Sequence, residues 1–252
     1  MKFIPCEKCR NNSEGLPPGY YWASPDKKLA AECECHYKWE IQSQGEKLFK
    51  HYGFNEKYWN YNPRSYVGTK SLADKNRLMN YILQFEENPE VRKLLVYMYG
   101  PNGTQKTSLA NFVGKSLILK GFVVRYILMN NLIKDLQDME FNEDTKAKVE
   151  KLNEADLLII DEAMDKSKLT LYKSGYQQSF IDTFVRDRIQ AKNKGILFIS
   201  NVHPDKIAEQ GLSVSIQDFI QRECKINHTL LTFEDNYVNE SNLEYDSAKG
   251  LF

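Results

Sequence analysis

The sequence predicts an α/β protein: a five-stranded parallel sheet flanked by helices, preceded by a small cysteine-bearing unit. Three observations carry this reading. Short apolar runs at residues 94–99, 122–128, 156–161, 195–200 and 229–234 alternate with segments of helical periodicity, the pattern of a sheet covered on both faces. The stretch GPNGTQKTS, residues 100–108, joins the first run to a helix with the spacing of a phosphate-binding loop. Four of the five cysteines fall in two tight pairs near the N-terminus.

Composition bounds the rest. A chain of 252 residues has room for one large core or two smaller ones. Its formal net charge is zero, so nucleic-acid contact requires a local patch rather than bulk attraction. No apolar stretch approaches the ~20 residues of a membrane span. The opening MKFIPCEKCR lacks the apolar core of a signal peptide, which leads us to expect a cytoplasmic protein with no membrane partner. Five cysteines do not make a disulfide scaffold.

Residues 1–40 read as the first unit. Cys6 and Cys9 form a C-x-x-C pair, and Cys33 and Cys35 form a C-x-C pair followed by His36. Two such pairs around a Gly/Pro-rich loop suit a tetrahedral Zn²⁺ site, in which His36 could replace one thiolate. A unit this small has little core, so the metal would supply its folding energy. Residues 41–90 read as a linker and lead-in. Pro63 ends any helix before it, and apolar residues at Leu72, Leu78, Met79, Ile82, Leu83 and Phe85 predict a helix from Leu72 to Glu87, stopped by Pro89. The aromatic cluster Tyr58, Trp59 and Tyr61 either seals one unit against the next or stacks on bases; the first is favoured. Residues 91–235 hold the alternating strands, with helices expected at 106–120, 130–152, 176–192 and 214–222. Cys224, alone in the last, reads as a small core residue. Residues 163–180 suggest an exposed insertion, and 236–252 a polar tail that is disordered or docks on a partner.

The chemistry concentrates at strand ends. In the loop, Gly100, Pro101, Asn102, Gly103, Thr104, Gln105, Lys106, Thr107 and Ser108 would bind phosphates. Glycines let amide N–H groups approach the phosphate oxygens, and the following helix points its positive end at them. Lys106 supplies an ammonium, and the Thr107 hydroxyl a Mg²⁺ ligand. Gln105 stands where the pattern has glycine, which bears on hydrolysis more than on binding. The run LLII, residues 157–160, ends in Asp161 and Glu162: one carboxylate to hold Mg²⁺, the other to polarise an attacking water. The fourth strand ends in Ser200 and Asn201, where an amide could orient that water. Arg186 and Arg188, with Lys192 and Lys194, form a basic stretch that faces solvent, DNA or a neighbouring subunit.

The ordered set GPNGTQKT, LLIIDE, ISN and the later SIQDFIQREC resembles the AAA+ ATPases. Within them it is most similar to the DnaC/DnaI-type replicative helicase loaders and their phage relatives, related to the IstB transposition helpers. The resemblance implies ATP as substrate, Mg²⁺ held by Thr107 and Asp161, Glu162 as catalytic base and Asn201 as sensor. It implies that Arg222 reaches the γ-phosphate of a neighbouring subunit, so that self-association through the ATPase domain completes the site. The zinc unit would engage a replicative DNA helicase, with single-stranded DNA as the further partner. A transposition helper and a nucleotide-gated, weakly hydrolysing adaptor or inhibitor are the alternative expectations.

Overall fold

Strands buried on both faces must be apolar at every position, and the central runs meet that condition. In the computed structural model, which describes residues 4–66, 68–169 and 176–234, the strands β3 (Leu95–Tyr99), β4 (Val124–Leu128), β5 (Leu157–Asp161), β6 (Gly195–Ser200) and β7 (Leu230–Thr232) form one sheet in the order β4-β5-β6-β3-β7. All four pairings are parallel. Alternate residues serve two cores. Leu95, Tyr97, Leu158, Ile160, Ile196 and Phe198 face one; Val96, Met98, Leu157, Ile159, Leu197 and Ile199 face the other.

Ahead of the sheet lie α1 (Glu7–Asn11), the antiparallel hairpin β1 (Tyr20–Trp22) and β2 (Ala30–Glu32), α2 (Glu34–His51) and α3 (Leu72–Glu87). α4 (Lys106–Leu119) follows β3, α5 (Met129–Asp138) and α6 (Glu143–Glu154) follow β4, α7 (Tyr176–Arg186) follows β5, and α8 (Val214–Asn227) follows β6. α3 has the bounds its sequence predicts. Leu78, Tyr81, Ile82 and Phe85 are its buried stripe, while Leu72 and Leu83 face solvent.

Both sheet edges are covered, which protects them from pairing with other chains. At β7, Thr232 N–H donates to Asp74 Oδ2 at 2.6 Å, and the Arg77 guanidinium donates to the Leu230 and His228 carbonyls. At β4, Tyr126 N–H donates to the Tyr52 carbonyl at 2.9 Å. Tyr58, Trp59 and Tyr61 are buried. Phe49 stacks on Phe54 at 4.4 Å and meets Trp59 edge-on at 5.3 Å, so the cluster seals α2 against the sheet domain and offers no platform for bases.

Four differences from the sequence reading have physical reasons. The long α2 lies where a connector is expected; only Gly45 and Phe49 of its 18 residues are buried, too sparse for a periodic signal. The helix expected over 130–152 is two helices, divided where the Asn142 side chain accepts from the Asp144 and Thr145 amides and starts α6. α8 runs beyond residue 222 to Asn227, where His228 turns left-handed at φ 53°. The Arg186–Arg188 stretch is not a free basic face. Arg188 is 0% exposed and donates to the carbonyls of Leu152, Asn153, Ala155 and Gly195 at 2.7–3.1 Å, and burial pulls its pKa down to about 10. Arg186 is held by Asp182 and Ser215. Cys224 is buried in the core, as expected. The middle of the suggested insertion, 170–175, and the tail, 236–252, lie outside the described residues.

Candidate functional site

A parallel sheet brings the carboxyl ends of its strands to one rim, where ligands bind. β3, β5 and β6 end there side by side, in Gly100, Asp161 and Asn201. The rim opens on a cleft of roughly 890 Å³ lined by Asn102 to Thr107, Asp161, Glu162, Ser200 and Asn201, large enough for a nucleotide.

The loop's shape follows from its glycines. At Gly100 a Cβ would sit 1.9 Å from the Phe233 carbonyl oxygen, so only glycine fits. Gly103 has φ +79°. Lys106 opens α4 and curls back over the loop. Its Nζ donates to the Gly100 and Pro101 carbonyls at 2.7 Å each and to Thr104 Oγ1 at 3.2 Å, and burial draws its pKa down to about 8. Thr107 Oγ1 donates to Asp161 Oδ2 at 2.9 Å. Tyr126, from the edge strand, donates its hydroxyl to that same oxygen at 2.6 Å. Asp161 Oδ1 accepts the Glu162 amide at 2.7 Å. Glu162 has φ 52° and holds its carboxylate out into the cleft, 3.8 Å from Lys168 Nζ. Asn201 Nδ2 donates to Asn102 Oδ1 at 2.8 Å, tying the end of β6 to the loop. A threonine hydroxyl and a carboxylate on one rim are oxygen ligands of the kind a hard divalent cation takes, and Thr107 and Asp161 already converge; they fit Mg²⁺.

Gln105 has the glycine-type conformation, φ 62° and ψ 16°, without being glycine. Its side chain is 3% exposed, and neither its amide nitrogen nor its oxygen has a hydrogen-bond partner. A left-handed backbone and an unpaired buried amide each cost about 1–2 kcal/mol. Gln105→Gly is therefore expected to stabilise the nucleotide-free protein by about 1 kcal/mol after glycine's own entropy loss. Thermal unfolding in the absence of nucleotide reads this directly; a lower midpoint than wild type would refute it.

The sequence-predicted residues do not all meet. Asn102 to Thr107, Asp161, Glu162 and Asn201 line one cleft; of the other predicted loop residues, Gly100 and Pro101 hold Lys106 through their carbonyls and Ser108 is 0% exposed, so none of these three is part of its wall. Nor does Arg222 line it: its half-exposed guanidinium lies over the Phe219 ring at 5.5 Å and 3.5 Å from Glu223, on the outside of α8. Sequence reasoning overlooked Tyr126 and named Ser200 without giving it a role. Tyr126 gave no signal beyond membership of a strand. Ser200 Oγ donates to the Ala163 carbonyl at 2.6 Å and accepts the Val202 amide at 2.9 Å, fixing the segment after Glu162 against β6; its place at the strand end was the only hint.

A second centre lies in the N-terminal unit. Cys6 Sγ is 3.8 Å from Cys9 Sγ and 3.6 Å from Cys33 Sγ, and Cys9 Sγ is 3.5 Å from Cys35 Sγ. All four sulfurs lie within 4.8 Å of one another. A tetrahedron of ~2.3 Å Zn–S bonds has edges of about 3.8 Å, so the four thiols fit Zn²⁺. The Cys9 backbone N–H, with the Cys33 thiol, lowers the Cys6 pKa to about 6, whereas burial and the neighbouring thiols raise those of Cys9, Cys33 and Cys35; the spacing of the sulfurs is what fits the metal. His36 is not one of the set. Its Nδ1 is 2.7 Å from Glu32 Oε1, and its ring packs on Tyr20 and Trp39.

Strand order, phosphate loop and the acidic strand end together define an AAA+ P-loop ATPase fold. Residues 81–169 match the family model for IstB-like ATP binding protein, a span that holds the phosphate loop together with Asp161 and Glu162. AMPPCP-bound DnaA from Aquifex aeolicus aligns over 70% of this chain and 51% of its own, at 19% identity and a TM-score of 0.53. The replication initiator DnaA bound to AMPPCP and single-stranded DNA aligns over 70% and 50%, at 19% identity and 0.54. The DnaC helicase loader aligns over 71% of this chain and 99% of its own, at 20% identity and 0.51. The chain spans about half the length of the DnaA structures it matches. No curated protein matches it in sequence. Among the described residues no helix is long and apolar enough to cross a membrane.

Proposed function

We propose that this chain is an ATP-driven loader that places a replicative hexameric DNA helicase on single-stranded DNA. The observation that carries the reading is the pairing of a four-cysteine unit with an AAA+ cleft, joined by one unbroken helix, α2, that begins between Cys33 and Cys35. The likeness to DnaC, over nearly that structure's whole length, supports it.

In this reading the loop amides and Lys106 bind the triphosphate. Thr107 and Asp161 hold Mg²⁺, which would neutralise charge building on the β- and γ-phosphates. Glu162 takes the proton of the attacking water, and Asn201 aligns that water while anchored to Asn102. Arg222, exposed on α8, completes a neighbour's site, so hydrolysis waits on assembly. The cysteine unit, ordered by Zn²⁺, grips the helicase.

Native mass measurement of the chain mixed with the replicative helicase of its own replication system, with and without ATP, tests this. The expected result is a complex whose stoichiometry depends on ATP and which Cys33→Ser abolishes. Absence of any complex with Zn²⁺ and ATP present would overturn the loader reading. The match to IstB-like proteins supports a transposition helper as a second reading; strong DNA binding with no helicase complex would favour it. The strained Gln105 supports a third, a nucleotide-gated adaptor that hydrolyses slowly.

A further inference from the structure

The Asp161 carboxylate is buried, 6% exposed, and its Oδ2 receives two hydroxyls from different elements. One, from Thr107, belongs to the phosphate loop. The other, from Tyr126 on the edge strand, lies closer, at 2.6 Å against 2.9 Å.

Tyr126 is gripped along its length by the end of α2. Its backbone N–H donates to the Tyr52 carbonyl at 2.9 Å. Its carbonyl oxygen lies where a Cβ at Gly53 would come within 2.4 Å, and Gly53 has φ +94°. Its ring lies 5.3 Å from that of Phe54, which stacks on Phe49 within α2. The other end of α2 carries Cys35 in its first turn. A rigid element thus runs from the cysteine unit to the clamp on Tyr126, and one hydroxyl separates that clamp from the carboxylate.

We propose that Tyr126 is a positioning residue for the Mg²⁺ site: it fixes the Asp161 carboxylate, and the α2 terminus, through Tyr52, Gly53 and Phe54, sets how well it does so. The proposal rests on the nucleotide-binding reading above. It adds to it a route by which whatever the N-terminal unit binds alters Mg²⁺ affinity at the ATP cleft. The physical basis is direct. A carboxylate freed of one hydrogen bond samples more rotamers, and ordering it again diminishes cation affinity, as with other outer partners of metal ligands.

The experiment is nucleotide binding by the full chain, followed with a fluorescent ATP analogue, once in excess Mg²⁺ and once in EDTA. Tyr126→Phe deletes only the hydroxyl. It is expected to raise the Mg²⁺ concentration for half-maximal binding about tenfold, with the EDTA arm unchanged. Phe54→Leu, which keeps apolar volume but removes the ring that steadies Tyr126, is expected to give a smaller shift in the same direction, about threefold. Thermal unfolding of each nucleotide-free variant accompanies the titrations. A shift confined to the Mg²⁺ arm in a variant that unfolds near the wild-type temperature supports the proposal. Equal weakening in both arms shows a general structural role and overturns it, as does wild-type Mg²⁺ dependence in Tyr126→Phe. An unshifted Phe54→Leu overturns the link to α2. Wild-type protein that binds nucleotide in neither arm overturns the nucleotide reading itself, and this proposal with it.

Discussion

Replacing Glu162 with glutamine is expected to slow ATP hydrolysis by about 10²–10⁴-fold, the usual contribution of a positioned general base, while nucleotide affinity stays near that of wild type. The geometry separates the two effects. Among the described residues the Glu162 carboxylate accepts no hydrogen bond from the phosphate loop, and its ion-pair partner, Lys168, is 3.8 Å away with both groups half exposed to solvent. Such a pair contributes little to stability. The amide keeps the shape of the acid, so the fold and the phosphate cradle are unaffected. Single-turnover phosphate release measures the first quantity, and titration with a fluorescent nucleotide the second. A loss smaller than the lower bound would remove Glu162 from the base role. A wild-type rate already as slow as that of the variant would favour the adaptor reading instead.

Lys106→Ala should abolish nucleotide binding at working concentrations, a loss on the order of 10²-fold or more for deleting a buried, charge-assisted contact. The reason lies in where the ammonium sits: over the loop, on the carbonyls of Gly100 and Pro101. Burial holds its pKa at about 8 in the free protein, and a bound phosphate favours the charged form. Binding therefore takes up a proton, and affinity falls as pH rises through about 8. Calorimetry in buffers of different ionisation enthalpy would show this uptake in wild type; Lys106→Ala removes it. The folding linkage has the opposite sign. An unfolded lysine titrates near ~10.4, so between the two values the unfolded chain carries more protons. This group's contribution to the stability of the free protein thus increases with pH across that window. Pulse-proteolysis or denaturant curves at pH 7.5 and about 9.5 in the two proteins would test it; no difference between them would show that Lys106 is not the titrating group.

Much of the architecture was legible because its physics is local. Strands such as Leu157–Asp161, buried at every position, have to read as apolar runs, and the phosphate loop needs glycine at residue 100 for a reason visible in one contact. The cysteine tetrad was legible from spacing alone, although only geometry excludes His36 from it. What remained hidden is non-local. Arg188 looks like a surface arginine until four carbonyls, from the end of α6, its cap Ala155 and the start of β6, close around it. Tyr126 looks like any strand aromatic until its hydroxyl meets a carboxylate 35 residues away. α2 escaped notice because a helix packed along one narrow line needs few apolar residues, and no window of sequence reveals which line that is.

The contact at Gly100 has a consequence for anyone who would redesign this cleft. Phe233 N–H donates to the Tyr99 carbonyl at 2.8 Å, and the Phe233 carbonyl oxygen occupies the space a side chain at 100 would need. The exit of the last strand is therefore stitched to the mouth of the loop. Grafting a different loop sequence here, or extending the chain after β7 along another path, would alter both together; the two segments form one unit for engineering, though more than a hundred residues separate them in sequence.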